Sequence, residues 1–165
     1  MALKDHPVRD HLVAFIGEFV GTFLFLFFSF AGAQTANLSY ENPAVKAGPD
    51  PARLLYVSLI FGFSLAVNVW IFFRVSGGLF NPAATLALCL VGAVTPFKAL
   101  LAAAAQVAGG ALAAVVVKFI LPGDEVLFAV SLDPGVSIVQ GLFIEMLLTL
   151  ELVFAILMLA AEVSN

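Results

Sequence analysis

Apolar residues along this chain gather into long runs separated by short polar stretches. The first two runs occupy residues 12–36 and 54–73. Each is long enough to cross the roughly 30 Å of hydrocarbon in a bilayer as a helix rising about 1.5 Å per residue. Two more runs of that length follow at residues 97–121 and 136–161. Residues 1–11 form a polar tail that carries His6 and His11, both read as solvated. The stretch "NLSYENPAVKAGPDPAR" between the first two runs holds Pro, Gly, Asn and charged residues that cannot continue a membrane helix, so it is expected to be an aqueous loop.

One shorter element does not fit the scheme of full spans. The sequence "SGGLFNPAATLALCLVGA" places Asn81 before Pro82, with Gly92 closing the apolar run. Asn at the N-cap, Pro at the first helical position and Gly at the end predict a helix over 82–91. About ten residues rise only about 15 Å, half a bilayer. A well-capped half-span is expected to be re-entrant, with its start near the membrane midplane. Irregular backbone at that depth, here Ser76-Gly77-Gly78-Leu79, is tolerated only where it is buried in protein or lines a water-filled cavity. The same tripeptide at Asn42-Pro43-Ala44 has no apolar run behind it and reads as coincidence.

Composition agrees with a membrane domain: 62% of the residues are hydrophobic, 11% are charged, and the mean hydropathy is +1.11. A net charge of −4 over 165 residues argues against a nucleic-acid partner. The 17 Phe residues are expected at lipid-facing and interhelical positions, and the single Cys89 as a small apolar filler. The polar N-terminus lacks the short hydrophobic core of a removable signal peptide. No cofactor or metal is called for. Lys4, Arg9, Arg74 and Lys98 fall on one side of the membrane against Lys46, Arg53 and Lys118 on the other, a slight bias towards a cytosolic N-terminus. In the third full run, Ala105 and Gly109 are small enough to let another helix approach closely.

The segments "IGEFVGTFLFLF" and "FIEMLLTLELVF" can be laid over each other without a gap, so that Glu18 meets Glu145, Thr22 meets Thr149 and Phe27 meets Phe154. A carboxyl within a membrane helix costs about 2.5–3.5 kcal/mol on insertion scales, which makes the two glutamates the informative pair. They fit either a structural role, bonded between helices or supporting a loop, or proton transfer.

Taken together, Glu18 with Gly21-Thr22, "FGFSLAVNVW", "SGGLFNPAATLAL" and "GLFIEMLLTLELV" resemble the aquaporin, or major intrinsic protein, family. The likeness covers the whole chain as the family's first half plus one helix. It implies an all-α membrane protein, an aquaporin-like right-handed helical bundle of inverted repeats. In this chain that amounts to four transmembrane helices and one re-entrant half-helix, an incomplete inverted repeat. It further implies a homotetramer in a lipid bilayer, with a separate pore in each subunit for water or another small neutral solute, and a plasma-membrane location.

On that resemblance Asn81, Pro82 and Ala83 border the pore. Asn81 caps the half-helix through its side-chain oxygen and offers its amide NH2 to passing water. The carbonyls of Gly77, Gly78 and Leu79 line the lumen as acceptors, while the positive end of the helix dipole and the desolvation cost reject cations. Glu18 holds this loop, Glu145 does the same for a loop of the second half, and Phe61 takes the aromatic position at the narrow filter. The sequence departs from the family pattern in having no fifth or sixth span, no second half-helix and no filter histidine or arginine among its 165 residues. Two functions follow as expectations: a water channel that excludes ions and protons, or a non-conducting membrane fragment that associates with other helices. No acidic cluster lies beside the broken helix as a secondary transporter would need, and no nucleophile, base and orienting group converge as in an enzyme.

Overall fold

The structure, a computed structural model, describes residues 7–40, 50–133 and 135–163. All regular elements among them are helical: α1 (Pro7–Tyr40), α2 (Pro51–Phe72), α3 (Pro82–Leu90), α4 (Pro96–Ile120) and α5 (Ile138–Val163). Four are long and apolar enough to cross a membrane, and α3 is the short one.

Helix ends follow from local chemistry. Asp50 accepts from the amides of Ala52 and Arg53 to start α2, and Thr95 accepts from Lys98 to start α4. Ser137 and Gln140 bond each other's backbone amides reciprocally at the head of α5. At the end of α3, Gly92 takes a positive φ of 80°, and the amides of Gly92 and Ala93 return to the carbonyls of Cys89 and Leu88. These are the two backbone hydrogen bonds that close a glycine-terminated helix.

The helices α2 and α4 pack against α1, α3 packs against α4, and α5 touches only α3 among the described elements. Small residues bring α4 onto α1. Ala105, Ala113 and Val117 are fully buried, and a Cβ on Gly109 would stand 2.5 Å from the carbonyl oxygen of Phe19. Without a hydrophobic driving force in lipid, such close backbone approach is what dispersion and polar contacts need to hold helices together. On the α2 side, Ser64 donates to the carbonyl of Phe25 at 2.8 Å. The outward faces are apolar, with Trp70 87% and Phe119 80% exposed. That pattern is soluble in hydrocarbon and not in water.

Several boundaries differ from the sequence expectation. The helix α1 starts at Pro7 and continues to Tyr40, beyond the apolar run at both ends, and α2 starts at Pro51. Backbone hydrogen bonding does not stop where the side chains turn polar, so residues 37–40 and 51–53, expected in a loop, are helical. His11 is likewise on α1, half-buried, with its ring edge-on to Phe97 at 5.1 Å. His6 and the Asn42-Pro43-Ala44 tripeptide lie outside the described residues.

Candidate re-entrant loop site

After α2 the chain must turn without leaving the layer of long helices. Amides of Phe73, Ser76 and Gly77 still bond back to Val69, Phe72 and Phe73, and then φ becomes positive at Gly77 (107°), Gly78 (64°) and Phe80 (48°). At Gly78 a side chain would press on the backbone of α2, its Cβ 3.3 Å from the Val69 carbonyl oxygen. Asn81 returns to extended geometry and caps α3. The residues that grip this loop, Glu18 and Gln106, lie eleven and ten residues into α1 and α4. That corresponds to roughly 15 Å along each axis, about half the depth of a hydrocarbon layer.

Glu18 is 1% exposed and accepts four hydrogen bonds. Its Oε1 takes the Ser76 hydroxyl at 2.7 Å and the Leu79 amide at 3.1 Å. Its Oε2 takes the Phe80 amide at 2.9 Å and the Gln106 side-chain amide at 2.8 Å. Gln106 Nε2 also donates to Thr85 Oγ1 at 2.9 Å, and Thr85 Oγ1 lies 2.9 Å from the Asn81 carbonyl oxygen. One continuous buried network therefore joins α1, the loop, α3 and α4. A buried donor left without a partner costs about 1–3 kcal/mol, so each of these bonds constrains the loop. Ser76 entered the sequence reading only as part of the irregular loop backbone, and Thr85 and Gln106 were not singled out. Gln106 carried a weaker form of the Glu18 signal, an isolated but neutral polar side chain inside an apolar run.

Asn81 is half-buried, and its Oδ1 accepts from the amides of Ala83 at 2.8 Å and Ala84 at 3.4 Å. The donors on that side fix the amide orientation and leave Nδ2 without a bonded acceptor among the described residues. Pro82 and Ala83 are exposed. The carbonyls of Gly77, Gly78 and Leu79 receive no hydrogen bond from the described residues; Gly77 and Leu79 are half-buried, and Gly78 is buried. A row of unbonded acceptors thus leads to one unbonded amide donor at a helix N-terminus.

The other two candidate residues lie apart from this loop. Phe61, half-buried on α2, meets the rings of Phe25 and Phe30 edge-on, each at 6.4 Å. Glu145 is exposed on α5, beside a cleft of about 340 Å³ that it shares with Val130, Ser131, Leu132 and Asp133 of the α4–α5 connection. No described group bonds its carboxyl.

The family model described as "Major intrinsic protein" matches residues 8–165. Aquaporin-8 of Botryotinia fuckeliana is 64% identical over 163 residues, covering 98% of this chain and 50% of the relative. Aquaporin-2 of the same fungus is 63% identical over 156 residues, covering 94% of this chain and 41% of the relative. Aquaporin-1 of Gibberella zeae is 51% identical over 160 residues, covering 96% and 50% respectively. The chain thus spans half or less of the length of these curated relatives. With four membrane-length helices, the buried Glu18 network and a match across nearly its full length, this chain is an integral membrane protein that belongs to the major intrinsic protein family.

Proposed function

We propose that the chain supplies half of a channel through which water, and small neutral solutes of similar width, cross a membrane passively. The observation that carries this reading is the loop before α3. Acceptor carbonyls at Gly77 and Leu79 lead to Asn81, whose Nδ2 is unbonded while its Oδ1 caps the helix. Water can move along such a row by exchanging one hydrogen bond for the next. A cation reaching Asn81 meets the positive end of the α3 dipole and loses its hydration together, so it is rejected. Phe61 narrows the passage to the width of water, and Glu18 keeps the loop carbonyls turned to the lumen. Glu145 stands ready to hold the corresponding loop of the other half. The resemblance further supports a homotetramer in the plasma membrane with a cytosolic N-terminus, and no enzymatic step.

The test joins this chain to the part of Aquaporin-8 of Botryotinia fuckeliana that extends beyond the matched half. The fusion is purified and reconstituted, and osmotic shrinkage of proteoliposomes is followed by stopped-flow light scattering. Fast shrinkage with a low activation energy, without proton leak, is expected. Permeability equal to that of protein-free vesicles at verified incorporation would overturn the reading. A second reading, association with other helices without conduction, draws on the exposure of Pro82 and Ala83 and on α5, whose membrane-length stretch contains no buried residue. Proton leak or ordinary diffusion in the same assay would favour it.

A further inference from the structure

The connection between α4 and α5 does not hang free of the helices. Gln34, 3% exposed on α1, bonds its backbone from both directions: Nε2 donates to the Glu125 carbonyl at 3.0 Å, and Oε1 accepts from the Leu127 amide at 2.9 Å. One turn further along α1, Asn37 Nδ2 donates to the Leu127 carbonyl at 2.6 Å, while its Oδ1 accepts from Arg53 of α2 at 2.5 Å. A side-chain amide that both donates to one backbone carbonyl and accepts from the amide two residues on holds that backbone as a neighbouring strand would. Gly123, with φ 115°, lies close enough that a Cβ there would stand 2.9 Å from Leu38 and 3.0 Å from the Gln34 amide nitrogen. Residues 123–127 are therefore pinned to the end of α1.

The pinning delivers one side chain to a definite place. Phe128 stacks on Phe30 with ring centroids 4.7 Å apart and planes 19° apart. Phe30 in turn meets Phe61, whose ring is also met edge-on by Phe25. A half-buried ring has several rotamers open to it unless its neighbours close them. Phe61 has Phe30 and Phe25 as ring neighbours, and Phe30 has Phe128 stacked on it.

We propose that Phe128 is a positioning residue for the passage. Acting through Phe30, it fixes the ring of Phe61, so that a segment outside the membrane helices sets the width at Phe61. The inference rests on the reading that Phe61 borders the passage. Release of the connection should let the Phe61 ring move and admit wider neutral solutes. Gln34→Ala, which removes no ring, should act in the same direction as Phe128→Ala because it frees the backbone that carries Phe128.

Two measurements separate the inference from the reading it rests on. In the 165-residue chain itself, with 4-fluorophenylalanine at position 61, the 19F signal in nanodiscs should shift or broaden on Phe128→Ala and on Gln34→Ala. An unchanged signal in both overturns the inference without any appeal to flux. In the fused channel, Phe61→Ala should raise the glycerol-to-water permeability ratio. Phe128→Ala should raise it by roughly twofold to tenfold, the ratio carried by one lost aromatic contact. A rise with Phe61→Ala but none with Phe128→Ala sinks the inference and leaves the reading intact. No rise with Phe61→Ala sinks both. An equal fall in both permeabilities, with the ratio unchanged, marks Phe128 as structural only and also overturns the proposal.

Discussion

The ring of Phe80 occupies the space that Gly21 leaves by having no side chain, so that a Cβ on Gly21 would overlap Cε1 and Cζ of the ring. Phe80 is also the one non-glycine residue among those described with a positive φ, 48°, a conformation that costs an L-residue about 1–2 kcal/mol. Three contacts hold it there: the Gly21 notch, the hydrogen bond its backbone amide donates to Glu18, and an edge-on contact with Phe72 at 5.9 Å. Strained backbone persists when its surroundings over-determine it. The next residue is Asn81, so the notch on α1 fixes where α3 begins.

Gly21→Ala should therefore destabilise the chain by about 1–3 kcal/mol, the usual cost of overfilling a packed site whose neighbour cannot retreat. Denaturant unfolding of the purified protein in mixed micelles measures this. Phe80→Leu in the Gly21→Ala background should recover part of the loss. Penalties that simply add in the double-mutant cycle would show that the two positions do not compete for space.

Glu18→Gln keeps the volume but replaces one acceptor oxygen with a donor NH2, which then faces either the Ser76 hydroxyl and the Leu79 amide or the Phe80 amide and the Gln106 side chain. One or two buried donors lose their partner, at about 1–3 kcal/mol each. The expected result is an unfolding midpoint lower than that of wild type and faster amide exchange at Leu79 and Phe80. Exchange at those two amides unaltered by the substitution would mean that the loop is held by something other than Glu18.

The outline of the fold was legible because membrane helices advertise themselves by length and hydropathy, and α3 by its Asn-Pro start and Gly stop. Glu18 could be found because a carboxyl inside an apolar run demands a partner. Gln106, Ser76 and Thr85 were hidden for a different reason. Neutral polar side chains are cheaper in a membrane helix, and only the folded geometry reveals that they converge on one carboxylate. The Gln34–Asn37 clamp was harder still, since its partners are backbone atoms 91 and 90 residues away. Backbone groups leave no trace in the side-chain pattern.

Asn81→Asp separates capping from conduction. An aspartate can accept from the Ala83 and Ala84 amides as the asparagine does, and helix N-termini favour a negative charge, so stability should stay within about 0.5 kcal/mol of wild type. The substitution also removes the Nδ2 donor and adds a charge beside the passage. Water permeability of the fused channel should fall at unchanged abundance and unfolding midpoint. Full permeability in a well-folded Asn81→Asp variant would remove Asn81 from the water path.

The 165-residue chain by itself should insert into bilayers yet conduct no water. Its described helices put Asn81, Pro82 and Ala83 on a surface with no facing wall, because α2 and α4 pack on α1, and α5 touches only α3. A passage needs acceptors and donors enclosed on all sides, and lipid filling the open side would supply neither. The same exposure leaves the Glu145 carboxyl on an apolar helix without a bonded partner among the described residues, at a cost of about 2.5–3.5 kcal/mol on insertion scales. Glu145→Leu should accordingly stabilise the isolated chain, while in the fused channel the same change should destabilise the loop of the second half and lower water flux. Light scattering on proteoliposomes of the isolated chain and of the fused channel, with unfolding of Glu145→Leu in both settings, reads these expectations. Rapid, low-activation-energy shrinkage from the chain alone would show that copies of it enclose a lumen between themselves. A Glu145→Leu variant equally stabilised in both settings would show that the carboxyl supports no loop.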